Sequence, residues 1–454
     1  MRANERAKIT LAFWYLGSIA ACSLVKRVIP EANAKIAVAI SRTVSEVVRS
    51  LGIGEGATLP GRILLRLYPR AIAELSRSLP VVLISGTNAK TTTTALAKEA
   101  LSGSFEVISN VTGANMEGGV AFALAAGGVR PDGKSLGVFE VDEAYLPIIG
   151  SQLETKVVAL LNLSRDQLDR VSETRMTSGK WRAFLEEHPH IKVVANCDDP
   201  LVVFAAEGAA TVLWVSAGLN FVLDARSCPV CGGEIEFASG QWQCSCGFKR
   251  PVADIEVNGK MIAIRDNKIE MELALPGRCN VANAAVALGI CDLFGVDLFS
   301  AARRMSYVSE VAGRYRRVAV NGHRVRMLLS KNPAGWLEVF DMVGEDQSVV
   351  VAINAQVADG RDPSWLWDVP FELLKGKEVF ASGERAYDLS VRLHYADIPH
   401  VVLKDSLDAL RSCSNRDVSF VGNYTSFQEL RKRLSGPRNP LVTAVRKLGD
   451  RVLK

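Results

Sequence analysis

VVLISGTNAKTTTT, residues Val81 to Thr94, decides how this chain is read. Four apolar residues, Val81 to Ile84, predict a buried parallel strand, since a strand covered on both faces shows no polar alternation. A turn carrying Gly86, Thr87 and Asn88 follows, then Lys90 and a run of threonines that opens an alanine-rich helix. Strand, tight turn and helix N-terminus gather backbone N–H groups and a positive dipole end around a phosphate. Lys90 is expected to reach the β- and γ-phosphates, and the hydroxyl of Thr91 or Thr92 to ligate Mg²⁺. The general pattern has glycine before the lysine, where this chain has Ala89. An alanine Cβ tolerates positive φ poorly, which predicts an adjusted turn. The expected ligand is a nucleoside triphosphate.

At 454 residues and 48% hydrophobic content, the chain is long enough for several domains with full cores. A net charge of +5 is mild and spread out, which argues against nucleic acid as a partner. Basic residues gather at the C-terminus, where a solvated helix is expected. The nine cysteines are odd in number and four of them cluster, which argues against a secreted disulfide framework and makes a reducing cytoplasm the natural setting. Ile9 to Val25 carries no charge and is bracketed by Lys8 and Lys26. It is short for a membrane span. Its basic approach also fits a signal peptide, but export would part the nucleotide site from cytoplasmic ATP. The reading is a helix packed on the protein or lying at the inner membrane surface. Ala32 to Leu51 continues as an amphipathic helix.

From Val81 onward, short apolar runs alternate with helical patterns, which indicates an α/β fold with mostly parallel sheets and ligands at the carboxyl ends of strands. Leu136–Val141, Val157–Leu161 and Val193–Ala195 are strand candidates, Ile255–Leu275 a hairpin region and Asn280–Leu293 a helix. After a boundary near 308, five evenly spaced runs (Arg324–Leu329, Val349–Ile353, Glu378–Ala381, His400–Leu403 and Val418–Val421) predict a second, smaller Rossmann-like α/β domain. The expected division is an N-terminal helical extension over 1–54, an ATP-binding domain over 55–308 and a C-terminal domain over 309–454. Residues 227–250 interrupt the first of these domains.

That interruption, CPVCGGEIEFASGQWQCSCGF, brings Cys228 and Cys231 opposite Cys244 and Cys246. Two close cysteine pairs on adjacent turns can converge tetrahedrally on Zn²⁺. With all four positions cysteine, no place is left for a reacting water, so a structural zinc ribbon is expected. Unligated thiols and an iron–sulfur cluster are the weaker readings.

Glu140, Asp142 and Glu143 stand where a strand ends, the place for Mg²⁺ ligation opposite a phosphate loop. Further motifs follow in order: TGANMEGG (Thr112–Gly119), NLSRDQLDR (Asn162–Arg170), NCDDP (Asn196–Pro200), PGRCNVANAAVA (Pro276–Ala287) and GRY (Gly313–Tyr315). In this order they resemble the Mur ligases, the ATP-dependent amide-forming enzymes of peptidoglycan synthesis. The cysteine cluster, KNPAGW (Lys331–Trp336), ADGRDPSWLWD (Ala358–Asp368) and GNYTS (Gly422–Ser426) are similar to the MurT-like branch, the Mur-ligase-like subunits of lipid II isoglutaminyl synthases.

The resemblance implies a Mur-ligase-type central domain and roles for particular residues. Gly86, Thr87, Asn88, Lys90, Thr91 and Thr92 would form the phosphate loop, with Thr91 and Glu140 on Mg²⁺. Asn280 and Asn283 would lie near the adenine, and Arg314 would approach the phosphates. Gln167 stands where the wider family has a metal-ligating histidine, with Asp166 beside it. Lys180 lies close to the family's carbamylated lysine but reads as a bystander. Asp362, in DGRD, would project into a GatD-type glutaminase partner and complete a Cys-His-Asp triad. The implied activity is amidation of the α-carboxylate of D-glutamate in the lipid II stem peptide. The five histidines lie scattered and no nucleophile elbow is visible, so ammonia must come from another subunit. The alternatives are another Mur or folylpolyglutamate-type amino-acid ligase, or a zinc-containing nucleotide-binding scaffold without catalysis.

Overall fold

Val81–Ser85 (β1) is buried at every position, because strands flank it on both edges and helices cover both faces. The computed structural model describes residues 34–50, 58–110, 113–128, 133–164, 171–218, 223–311 and 314–434. The apolar run Ile9–Val25, the basic tail, Thr112, Asp166, Gln167 and Gly313 lie outside the described residues.

The first sheet contains β1, β2 (Glu106–Ile108), β3 (Ser135–Glu140), β4 (Thr155–Leu160), β5 (Lys192–Asn196) and β6 (Thr211–Val215). Between β6 and the rest of the sheet comes a separate hairpin, β7 (Ile235–Ala238) and β8 (Gln241–Cys244). The sheet then continues through β9 (Ile255–Asn258), β10 (Met261–Ile264) and β11 (Asn267–Glu270). Its order is β11-β10-β9-β6-β5-β4-β1-β3-β2, parallel except for the closing meander β9-β10-β11. The chain moves outward from β1 to one side through β3 and to the other through β4. This puts the end of β1 at a switch in strand order, where an open α/β sheet leaves a crevice for ligands.

The second sheet contains β12 (Tyr315–Val320), β13 (His323–Leu329), β14 (Ser348–Ala352), β15 (Glu378–Ser382), β16 (His400–Val402) and β17 (Asp417–Gly422). Its order is β12-β13-β17-β14-β15-β16, with only β12 antiparallel. The α/β reading of the sequence holds. β12 escaped it because Tyr315–Val320 carries two adjacent arginines near its start and is only partly buried, as an edge strand is, so it shows no long apolar run. Three loops leave the carboxyl ends of β13, β14 and β17, and they carry KNPAGW, ADGRD and GNYTS. One apolar cluster runs from the helix Arg278–Leu293 across Trp336 and Val339 to β14, so the two sheets share a core.

The helix Ala34–Ser50 docks through small side chains: Ala37, Ser41 and Ser45 are buried at helical spacing, and the Ser41 hydroxyl donates to Pro60 O at 3.0 Å. Among the described residues no helix is long and apolar enough to cross a membrane.

The turn after β1 is not adjusted to spare its alanine. Ala89 itself takes the left-handed conformation, with φ 66°. A residue with a Cβ held there costs about 1–2 kcal/mol. Gly86 has a different reason to be glycine: a Cβ on it would stand 2.8 Å from Leu161 Cβ and 3.0 Å from Asn162 N. Replacing Ala89 by glycine relieves the backbone strain but enlarges the freedom of the unfolded chain, which offsets roughly 0.5–1 kcal/mol. Ala89→Gly is therefore expected to leave stability unchanged or raise it by up to about 1 kcal/mol in urea unfolding. Clear destabilisation would show that the left-handed turn is not the stable form.

Candidate functional site

The phosphate-type loop is held by the next strand over. Asn162, just beyond β4, accepts the Asn88 N–H on its side-chain oxygen at 2.8 Å and the Thr87 N–H on its carbonyl at 2.9 Å. The Thr87 hydroxyl donates to Ser164 O at 3.1 Å and accepts the Ser164 N–H at 3.0 Å. The end of β4 thus holds the loop's backbone, and no side chain caps the helix Lys90–Leu101 that follows. An uncapped helix N-terminus behind a rigid turn suits an anion.

Lys90 is buried and folds back over its own loop. Its ammonium donates to the carbonyls of Gly86 and Thr87 and pairs with Glu143 Oε2 at 2.8 Å. The indole of Trp181 donates to Glu143 O at 2.9 Å, fixing that acid from behind. Burial and the neighbouring Glu143 push the Asp142 carboxyl up, against the pull of Lys90.

Glu140 ends β3 in register with Ile84 of β1. Asn110 clamps its backbone, donating to Glu140 O at 2.8 Å and accepting its N–H at 3.0 Å. The side chain is buried, yet Glu140 Oε1 has no hydrogen-bond partner among the described residues, and neither has the buried Thr91 hydroxyl. Buried polar atoms are almost always paired, so two orphans, one at the end of β3 and one in the first turn of the helix Lys90–Leu101, mark a place for an absent group. A carboxylate oxygen and a hydroxyl are the hard donors that Mg²⁺ takes. The residues present fit that ion.

Beside the loop lies a cavity of about 70 Å³, lined by Asn88, Asn280, Asn283, Arg314, Lys331 and Glu338. Asn283 donates to Asn280 Oδ1 at 3.2 Å, and Asn280 in turn to Pro276 O at 2.5 Å. Burial pushes Glu338 up to about 7, with the Arg314 guanidinium pulling the other way. The second sheet reaches the loop through Asn332, whose Oδ1 accepts from Asn88 Nδ2 at 3.2 Å. Gly335 permits this approach, since a Cβ there would meet Ser330 Oγ at 2.9 Å and Asn332 Oδ1 at 3.2 Å.

Asp362 stands apart from this group, exposed on the loop after β14. Its Oδ1 accepts the Ser364 N–H at 2.9 Å, and that bond holds its carboxyl below the usual range. Asp359 pins the loop by accepting the Thr425 N–H at 2.9 Å and the Thr425 hydroxyl. The four cysteines meet as one cluster, with their sulfurs all within 4.8 Å of one another. Cys228 and Cys244 are buried, while Cys231 and Cys246 are exposed. Four convergent thiols fit a tetrahedral ion of zinc type.

The structure therefore brings Gly86, Thr87, Asn88, Lys90, Thr91, Thr92, Glu140, Asn280, Asn283 and Arg314 to one region, with Asp362 and the cysteines elsewhere. Lys180 is exposed on the helix Val171–Glu187. Participants that went unread in the sequence include Asn162 and Asn332 as holders of the loop, Asn110 as the clamp of Glu140, Glu338 in the cavity wall and Asp199. The signal for Asp199 lay in NCDDP, an acid followed by proline at a helix start.

Family descriptions match two stretches of the chain: "Mur ligase middle domain" over residues 84–291 and "MurT ligase C-terminal" over 329–427. The subunit MurT of lipid II isoglutaminyl synthase (glutamine-hydrolysing) from Streptococcus pneumoniae is 27% identical over 84% of this chain and 93% of its own length. The subunit of the same name from Staphylococcus aureus strain N315 is also 27% identical, over 88% of this chain and 97% of its own. Among solved structures, a type C pseudomurein peptide ligase from Methanothermus fervidus superposes with a TM-score of 0.62 at 20% identity, covering 78% of each chain. MurF from Acinetobacter baumannii gives 0.61 at 17%, over 82% of this chain and 80% of that one. Those two likenesses show the fold.

Asp199 supplies a test of how the loop is held. It is fully buried, caps the helix Pro200–Ala206 and accepts the N–H groups of Leu163 (2.8 Å), Leu201 (2.9 Å) and Val202 (3.4 Å). Burial pushes it up to about 6, against those bonds. Between the ordinary carboxyl value and about 6 the folded chain keeps a proton that the unfolded chain has lost, so this group's contribution to stability falls as pH rises through that window. In urea unfolding, the wild type should gain on Asp199→Asn when pH drops from 7 to 4.5. An unchanged difference between the two proteins would contradict the assignment.

Proposed function

The chain belongs to the Mur ligase family, and from that premise we propose that it is the ATP-dependent synthetase subunit of a glutamine-hydrolysing lipid II isoglutaminyl synthase. The observation that carries the reading is the pair of orphaned buried donors, Thr91 Oγ1 and Glu140 Oε1, beside a lysine-bearing loop at the strand-order switch. A free carboxylate resists attack by an amine at neutral pH. It must first accept a phosphoryl group, leaving ADP and an acyl phosphate; ammonia then displaces phosphate and gives the amide.

Each residue's part follows from its position. Gly86, Thr87, Asn88 and Thr92 line the cradle for the phosphates. Lys90 exchanges its bond to Glu143 for the nucleotide's phosphate oxygens when ATP enters. Thr91 and Glu140 would hold Mg²⁺, which supplies charge neutralisation on the transferring group. Asn280 and Asn283 face the nucleoside, and Arg314 adds positive charge from the second sheet. Holding the reacting groups in line and screening charge is the greater part of catalysis in such a transfer. Cys228, Cys231, Cys244 and Cys246 would hold a structural Zn²⁺.

Within this reading residues 55–308 form the central ATP-binding domain, 227–250 its ribbon and 309–454 the domain that docks a GatD-type glutaminase. Support for the dock comes from the surface beyond Asp362. Trp367 and Tyr395 are 55% and 71% exposed with their rings 5.4 Å apart, and Arg392 stacks over Trp367. Exposed aromatics ringed by charge are the usual centre of a protein interface. Asp362, ionised and held by Ser364 on the pinned loop, would orient a partner imidazole. The acceptor is lipid II at the inner face of the plasma membrane, and the setting is cytoplasmic.

The test is a reconstitution with the glutaminase and lipid II, assayed for glutamine- and ATP-dependent amidation. Lys90→Ala should abolish amidation by either nitrogen source. Asp362→Asn should lose glutamine-driven amidation by about 10³-fold or more, the scale of a missing triad carboxylate, and retain amidation driven by added ammonia. Glutaminase activity that survives Asp362→Asn would remove Asp362 from the triad.

A further inference from the structure

The cysteine ribbon does not sit away from the cleft. A second cavity of about 710 Å³ runs from Asn88 and Ala89, over the carboxyl ends of β4, β5 and β6, to the β7–β8 hairpin. Phe237 and Gln241 of the hairpin line its far end, and Asn283, Arg278 and Glu338 line its side. This volume falls in the range of small-molecule sites, whereas the 70 Å³ cavity next to Arg314 holds no more than a few waters.

The hairpin is built stiff and bolted down. Ser239 and Gly240 close it with φ of 49° and 73°, the two left-handed residues of a tight hairpin turn. Phe237 pairs across the strands with Trp242, whose indole donates to Cys197 O at 3.0 Å. Arg250 pairs with Asp198 at 2.6 Å, both nearly buried, and Asp198 accepts the Gly218 N–H at 2.7 Å. The adjacent Asp199 holds Leu163, next to the Asn162 that clasps the phosphate-type loop. Three hydrogen-bonded links, Arg250–Asp198, Leu163–Asp199 and Asn88–Asn162, thus connect the ribbon to the loop.

We propose that the ribbon hairpin is the far wall of the nucleotide cleft and that Phe237 packs against the base of the bound nucleotide. This rests on the nucleotide reading above. With the phosphates anchored at residues 86–92, the nucleoside extends along the 710 Å³ cavity, which is large enough for it, and the half-buried ring of Phe237 meets it there. A ribbon held by zinc then acts as a specificity element for the nucleoside, independent of the phosphates.

Calorimetry on the full chain compares two probes, the magnesium complexes of a non-hydrolysable ATP analogue and of inorganic tripolyphosphate, with bound zinc measured for each variant. Phe237→Ala should weaken the ATP analogue by about tenfold or more, the scale of base–aromatic stacking, with tripolyphosphate affinity and zinc content unchanged. Phe237→Tyr should restore the affinity. Unchanged analogue affinity in Phe237→Ala, or an equal loss for both probes, would overturn the proposal. A wild-type chain that binds neither probe would remove the nucleotide reading itself, and this proposal with it.

Discussion

Asn162 holds the structure's central constraint. A loop that offers its N–H groups to an anion cannot satisfy them internally, so something outside the loop must keep it in shape. Here the end of β4 does so, with the Asn162 side chain and carbonyl taking the N–H groups of Asn88 and Thr87. The Asn88 side chain is then left to reach Asn332 on the second sheet. One short segment therefore sets the anion cradle, fixes its neighbour strand and joins the two halves of the molecule.

The two sheets divide the work by the same rule, since both present their carboxyl edges. The first offers the loop after β1, with Lys90, and the end of β3, with Glu140. The second offers one loop that turns inward with Asn332 and another that turns outward with Asp362. Asp359 makes that outward turn rigid through Thr425, so DGRD divides into an aspartate that anchors and an aspartate that is presented. Such an arrangement suits a subunit whose nitrogen source lies on a partner while its phosphoryl chemistry stays inside.

Much of this was legible in sequence because it is local. The apolar run of β1, the lysine and threonines at a helix start, and the paired cysteines each carry their chemistry within a few residues. What escaped depends on strand order. That Lys90 pairs with Glu143 and that Asn110 clamps Glu140 follow from β3 lying beside β1, and no spacing along the chain announces that. The ribbon, expected as a structural zinc site, also borders the cleft, and for the same reason no spacing along the chain announces it. Ala89 shows the converse: its conformation could be foreseen as costly, and the tertiary clasp on either side imposes it regardless.

The central claim is that a carboxylate is activated by phosphorylation before nitrogen attacks. The direct measurement uses lipid II whose D-glutamate α-carboxylate carries ¹⁸O, with ATP, the glutaminase partner and glutamine, followed by mass analysis of the released phosphate. An acyl phosphate requires that one carboxylate oxygen leave with the phosphate, so the account predicts ¹⁸O in inorganic phosphate in step with amide formed. Amide produced with unlabelled phosphate would contradict it.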